Sequence, residues 1–466
     1  MIAPLAAATS TMNNYPVVLI HGLFGWGPDE LPLSYWGTGT QVPSPLPIFE
    51  ANVGPISSFH DRACELIAQI KGCRVDYGEQ HAKHHGHARY GKDFSQVGFH
   101  PQWDAQHPVH LVGHSAGGNT MRVAQHLLAS DFYGWGSDST WIKSISCLSA
   151  VLNGTPLVYM FGCDPKTGLL KTGSVGNMLG WVIKFAALFH EHEAASTLKY
   201  DFDLAQWGYA VDGDRTHKES AALMTSNALF GGADNLAYDL SMQGCYAINE
   251  YAKTYPGTYY FGYATERTKR GPLSGQHYPS PRIHPLLLAP AAYQGWYQFA
   301  DQPPLPDWGT GRLVDDLWWA NDGCVPTISQ YYPFTNSKIA HPAHNVKGIH
   351  GLPFFESGKW YHEKIEDVTG CQWDHLNIVS GVRSDSSREP LQRAFYTDLY
   401  TRLAALPVNE YPLTVAHVVP SSPPLPLTVF APSSLLLIVQ SRLLTTWVLI
   451  AKAVKKWWQK WIRRWP

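Results

Sequence analysis

The chain has 466 residues, enough for one large α/β domain with insertions or for two domains. Hydrophobic residues make up 45% and charged residues only 15%, and with 18 Trp and 24 Tyr large apolar surfaces must be buried or offered to a lipid. A formal net charge of −2 gives no reason to expect a nucleic-acid partner.

At the N-terminus, Met1–Ser10 has no basic residue and too short an apolar run for a secretory signal, so a cytoplasmic or peripheral membrane location is the expectation. Tyr15–Ile20 (YPVVLI) is a short apolar run that stops at His21-Gly22, as a buried strand of a parallel sheet does. Pro108–Gly113 is a second such run, followed at helical spacing by Asn119–Ala129. Trp141–Leu152 predicts a third strand and Thr258–Tyr263 a fourth. Strands alternating with helices favour a doubly wound, mostly parallel sheet. Between Thr155 and about Thr258 the alternation breaks down, which marks an insertion. Inside it, Met178–His190 is apolar almost all round and reads either as a core helix or as a mobile lid over an active site. The seven cysteines are widely spaced, odd in number and without a C-x-x-C pair, so free thiols are expected rather than a disulfide framework.

Gly113-His114-Ser115-Ala116-Gly117 matches G-x-S-x-G. Alone the match is weak in a chain with 40 Gly, but it directly follows a predicted strand and directly precedes a predicted helix. That context is a nucleophile elbow, in which a sharp turn exposes the serine at a helix N-terminus. Acyl transfer also needs two N–H donors for the oxyanion. Ala116, after the nucleophile, and Leu23, in the loop after the first strand, are the candidates. A serine nucleophile needs a base and an orienting acid, in the order Ser, acid, His for this fold. Asp322 in Asn321-Asp322-Gly323 and His375 in Asp374-His375-Leu376 fit that order, although 22 histidines leave the base ambiguous from composition alone.

Several segments are similar to the zinc-containing true lipases of thermophilic bacilli and staphylococci and their plant and algal relatives. They are His21–Gly27, Tyr35-Trp36-Gly37, Val53–Glu65, Val75–Gly91, Tyr200–Gly208, Tyr238–Ser241, Thr265–Gly271, Asn321–Gly323 and Asp374–Leu376, together spanning most of residues 15–405. The resemblance implies an α/β-hydrolase fold with a helical insertion carrying the lid and part of a zinc site. It implies Ser115 as nucleophile, His375 as general base and Asp322 as orienting acid. It also implies a structural zinc on Asp61, His81, His87 and Asp239. Two His six residues apart in a Gly-containing loop can converge on one ion, and two distant carboxylates would complete a tetrahedron. The alternative is a solvated polar loop. The sequence departs from the family in three places. Ala116 stands where many relatives have Gln, Thr38–Ala51 looks shortened at a crossover helix, and the acidic calcium positions read Asn377 and Val382-Arg383. A calcium site of the family kind is therefore doubtful.

After about Ala405, residues 406–432 are rich in Pro and Ser and read as a linker. Residues 433–466 hold seven Lys or Arg and no acid, with Leu443, Trp447, Ile450, Val454, Trp457, Trp458, Trp461 and Trp465 on one helical face. Such a basic, Trp-rich amphipathic helix suits a membrane interface, though packing on the core is a competing reading. The expected function is hydrolysis of acylglycerol esters, with an acyltransferase using the same triad as the alternative. An inactive membrane-binding protein is disfavoured by the joint presence of Ser115, Asp322 and His375.

Overall fold

Side chains alternate across a strand, and in each apolar run the two sets enter different cores. Val18 and Ile20 join one buried cluster with Leu66, Ile70, Met121 and Leu128, while Val17 and Leu19 join another with Trp36, Tyr396, Leu399 and Tyr400. A sheet with two apolar faces needs helices on both, which is the doubly wound arrangement. The computed structural model describes residues 12–28, 30–31, 33–180, 183, 200–209, 219, 222–223, 225–226, 228–299, 315–334, 345–379 and 386–409.

The strands in chain order are β1 (Val17–Ile20), β2 (Ile48–Ala51), β3 (Arg74–Asp76), β4 (Tyr90–Asp93), β5 (Val109–His114), β6 (Ile142–Leu148), β7 (Tyr259–Ala264), β8 (Thr268–Arg270), β9 (His277–Pro279), β10 (Asn345–Lys347) and β11 (Trp360–Lys364). Seven of them form one sheet in the order β10-β11-β7-β6-β5-β1-β2. Every pairing in it is parallel, with Val17 opposite His110 and Leu111 opposite Ile145. β3–β4 and β8–β9 are separate antiparallel pairs. The four strands expected from sequence are the four central ones. β2, β10 and β11 lie towards the edges and are short and partly polar, so they lacked the apolar signal.

The crossover from β1 to β2 contains one helical turn, α1 (Thr38–Gln41), in the stretch that looked shortened. Helix α2 (Phe59–Lys71) is capped by Ser58, whose side chain accepts the Asp61 N–H. Helix α3 (Glu79–His85) ends on Gly86, whose left-handed backbone closes it. Helix α4 (Gly117–Ala129) starts two residues after β5. The third expected strand is cut short at Leu148, because Ser149 turns the chain with a φ of 50°. In the insertion the described residues form short helices, Leu236–Asp239 and Met242–Tyr251 among them, and no strand of the main sheet.

Of the lid candidate only residues 178–180 and 183 are described. Met178 is exposed, whereas Ile183 is buried with Ile56, Leu204 and Trp207. The rest of that segment, and the linker and tail beyond Asn409, lie outside the described residues. No helix among the described residues is long and apolar enough to cross a membrane. All seven cysteines are free.

Candidate active site and metal centre

Parallel strands end on a common edge, and the loops leaving the carboxyl ends of β1, β5 and β7 meet there. Ser115 follows β5 with a φ of 56°, a left-handed conformation costly for a residue with a Cβ. The turn is so tight that a Cβ on Gly113 would lie 2.6 Å from the Gly117 carbonyl carbon, and one on Gly117 only 2.3 Å from Ile20 O. Glycine is therefore required at both flanks of the elbow.

Asp322 is wholly buried yet accepts five hydrogen bonds. Its Oδ1 takes the N–H groups of Cys324 and Val325 at 2.9 and 2.8 Å. Its Oδ2 takes Thr265 Oγ1 at 2.8 Å, Gln330 Nε2 at 3.2 Å and His375 Nδ1 at 2.8 Å. A carboxylate can only accept, so His375 carries its proton on Nδ1 and presents Nε2 as a lone-pair base. The His375 N–H also donates to Asp322 O at 3.0 Å, which fixes the loop as well as the ring. The His375 ring packs 4.6 Å from that of His114, the residue before Ser115.

Leu23 sits at the mouth of the β1 loop. The Gly22 carbonyl accepts His21 Nδ1–H at 2.9 Å and Gly25 N–H at 3.1 Å, while His21 Nε2 accepts Val53 N–H at 3.3 Å. Burial, with Arg62 nearby, pushes the His21 imidazole down to about 3, so it stays neutral in this tautomer. Locking the Gly22 carbonyl sets the plane of the peptide that carries Leu23 N–H. A Cβ on Gly22 would come 3.2 Å from Ser115 Oγ, so this loop runs directly over the serine.

The metal-ligand candidates converge in part. His81 Nε2 is 3.2 Å from Asp61 Oδ1 and 3.4 Å from Asp234 Oδ1, and His87 Nε2 is 3.3 Å from Asp234 Oδ2. Asp61, His81, His87 and Asp234 each bring one ligand atom to within 4.8 Å of the others. Asp61 Oδ1, His81 Nε2, His87 Nε2 and Asp234 Oδ2 are all buried without a hydrogen-bond partner. Four orphaned polar atoms facing one point are what a cation would satisfy. The outer atoms are held: His87 Nδ1 donates to Ala88 O and Gln206 Nε2 to Asp61 Oδ2. Burial disfavours charge on His81, but Asp234 and Asp61 outweigh it and raise its imidazolium to about 9.

Asp239 is not in this cluster, which corrects the fourth expected ligand to Asp234. Asp239 closes the one-turn helix Leu236–Asp239 and its Oδ2 accepts the Phe59 N–H at the start of α2, at 2.6 Å. Asp234 precedes Asn235, the N-cap of that helix, whose side chain accepts the Tyr238 N–H, and its own carboxylate lies against His81 and His87. Two acids five residues apart look equivalent in a sequence; the Asn cap between them is the signal that separates them. His85 packs 4.5 Å from His81, while His190 and His192 lie outside the described residues. At the doubtful calcium position, Asn377 Oδ1 accepts Asp374 N–H at 3.0 Å; Val382 and Arg383 lie outside the described residues.

A family model described as "lipase-like, C-terminal domain" matches residues 13–290. Lipase 2 of Staphylococcus aureus is 28% identical over 440 residues, 88% of this chain and 57% of that protein. The chain thus spans little more than half the length of the curated relatives it matches. Among solved structures, EstA from Clostridium botulinum is 29% identical with a TM-score of 0.66, covering 86% of this chain and 89% of its own. Lipase 1 from Pelosinus fermentans is 28% identical with a TM-score of 0.60, covering 85% and 100%.

Proposed function

The chain belongs to the lipase-like family, and on that premise we propose that it hydrolyses carboxylic esters of acylglycerols through an acyl-enzyme on Ser115. The observation that carries the reading is the Asp322–His375 pair set beside the strained turn at Ser115. His375 Nε2 takes the Ser115 proton as Oγ attacks the ester carbonyl. The charged imidazolium is stabilised by Asp322, itself held by four other donors that keep its oxygens aimed. Ala116 N–H, at the start of α4, and Leu23 N–H are the donors for the oxyanion, each worth about 3 kcal/mol of transition-state stabilisation. His375 then protonates the leaving alcohol, activates a water and returns to its starting state as the acid product leaves.

Asp61, His81, His87 and Asp234 would hold a zinc ion. Four protein ligands leave no open position, so its contribution is structural, joining α2, the α3 loop and the insertion. The amphipathic pattern of residues 433–466 supports a role in holding the enzyme at a lipid surface. Loss of liposome binding on deleting residues 406–466 is the expected result, and unchanged binding would remove that role.

The decisive measurement is fatty-acid release from emulsified long-chain triacylglycerol by the parent chain and by Ser115→Ala. Release that vanishes in the variant is expected. Acyl transfer to an added alcohol with no free acid would favour the transferase reading, and no turnover of either kind would overturn both.

A further inference from the structure

The Tyr35-Trp36-Gly37 motif has no task in the reaction above, yet Tyr35 occupies a central place. Its ring centroid lies 5.7 Å from that of His21 and 5.8 Å from that of His114, and all three residues are buried. Its hydroxyl makes two hydrogen bonds, to Gly22 N at 3.0 Å and to His114 Nδ1 at 2.6 Å. The partners dictate the directions. Gly22 N–H can only donate, so the phenol accepts there and gives its own proton to His114 Nδ1. Nδ1 is then the lone-pair nitrogen, and the ring proton sits on Nε2, 3.0 Å from the His375 carbonyl oxygen, which can only accept. All three bonds therefore agree on one tautomer of a neutral imidazole. Burial, with His375 adding to it, holds His114 well below the usual histidine range, so the neutral form is the resident one.

We propose that Tyr35 and His114 are positioning residues that tie the oxyanion-donor loop to the loop of the catalytic base, in the series Gly22 N–H, Tyr35 hydroxyl, His114 imidazole and His375 carbonyl. The proposal rests on the ester-hydrolase reading. Both ends of the series are backbone groups next to working atoms: Gly22 precedes Leu23, and the carbonyl belongs to His375 itself. The middle member, His114, is bonded through the chain to Ser115. Asp322 fixes the ring of His375 from one side, and His114 fixes its main chain from another. Nucleophile, base and one oxyanion donor are thereby braced against each other without any of the braced atoms being spent on the brace. Catalytic distances are sensitive to such bracing, since a displacement of about 1 Å can cost on the order of a hundredfold in rate.

The competing account is that these are ordinary core hydrogen bonds. Tyr260 provides the comparison, because its hydroxyl is equally buried and also makes two bonds, accepting Tyr255 N–H at 2.8 Å and donating to Gln125 at 2.9 Å, away from the site. We would measure kcat and KM on p-nitrophenyl butyrate for the full chain, Ser115→Ala, Tyr35→Phe, His114→Leu, His114→Gln and Tyr260→Phe, at a temperature where every soluble variant is folded, and record melting curves for each. Tyr35→Phe and His114→Leu are expected to lower kcat by about tenfold to a hundredfold with KM changed less than about twofold. His114→Gln, whose amide N–H can still reach the His375 carbonyl, should recover part of that loss. Tyr260→Phe should lower the melting temperature without touching kcat. Equal kcat in Tyr35→Phe and Tyr260→Phe overturns the proposal, as does a kcat in His114→Gln no better than in His114→Leu. Hydrolysis that survives Ser115→Ala would instead overturn Ser115 as the nucleophile, and with it the reading on which the proposal rests.

Discussion

At the scale of single residues, the site is built by contacts too close to admit a methyl group. Gly22 has no left-handed backbone to explain it, so its requirement is steric alone. A Cβ there would lie 2.7 Å from Ser115 Cβ and 3.2 Å from His114 O. Gly22→Ala should push the β1 loop off the serine, move Leu23 N–H out of place and lower kcat by about a hundredfold. The fold should survive, because the loop can lift towards solvent where Leu23 is already 40% exposed. Esterase kinetics beside a melting curve would check this, and full activity in the variant would mean the loop carries no oxyanion donor. Ser115 stood out by its place between a predicted strand and a predicted helix, whereas the pair Asp322 and His375 was singled out, in a chain with 22 histidines, only through the family resemblance. Asp322 gains its pairing with His375 from Thr265, Gln330 and two backbone N–H groups that no local pattern announces. Tyr35 and His114 were inside quoted motifs, but a hydrogen bond between residues 79 apart is a property of the fold.

At the scale of elements, α2 is where the pieces are joined. Arg62, wholly buried, donates to Gly54 O, His21 O and Thr120 Oγ1, linking the helix to the β1 loop and to α4. Glu65 accepts from Gly54 N and Tyr77 Oη, and Asp61 turns the first turn of the helix towards the metal-ligand cluster. The helix was not among the predicted elements, since its buried face mixes Arg62, Glu65 and Gln69 with the apolar residues. The exchange of Asp239 for Asp234 also belongs here. Asp234 lies just before one helical turn and Asp239 ends it, so that Asp234 meets His81 and His87 while Asp239 accepts the Phe59 N–H at the start of α2. Asp234→Ala should therefore abolish binding of about one equivalent of zinc, read by metal analysis of the purified protein, and should lower the melting temperature as chelation of the parent does. Asp239→Asn should keep the metal, because an amide oxygen can still accept the Phe59 N–H. Retention of zinc by Asp234→Ala with loss in Asp239→Asn would reverse the assignment.

At the scale of the molecule, the central strands were readable because burial on both faces leaves an uninterrupted apolar run, whereas the edge strands and the brace that secures them were not. The last described helix, Glu389–Ala404, lies on the face of the sheet shared by Tyr263 and Tyr361. His350, just after β10, joins it to β11: Nε2 contacts Asp398 at 3.0 Å, and Nδ1 contacts Glu363. Hydrogen bonds to Asp398 and Glu363 raise the His350 imidazolium to about 9 against partial burial. A group raised from its unfolded value near 6.5 gives its full stabilisation below that value and loses it as pH climbs through about 9. Burial opposes ionisation of Asp398, but His350 and Arg402 hold its carboxyl below the usual range, so that share is present above the unfolded carboxylate value and fails only in acid. The brace is strongest between those limits. His350 is about one-third exposed, so solvent screening keeps its worth to roughly 1 kcal/mol, a melting shift of about 1–3 °C in a chain this large. Melting temperatures of the parent and His350→Gln should thus differ most in mildly acidic solution, between about pH 4.5 and 6.5, and converge by about pH 10, since the other groups that titrate in that range are common to both. A difference that stayed constant from neutral to alkaline pH would mean that His350 contributes by packing rather than by charge.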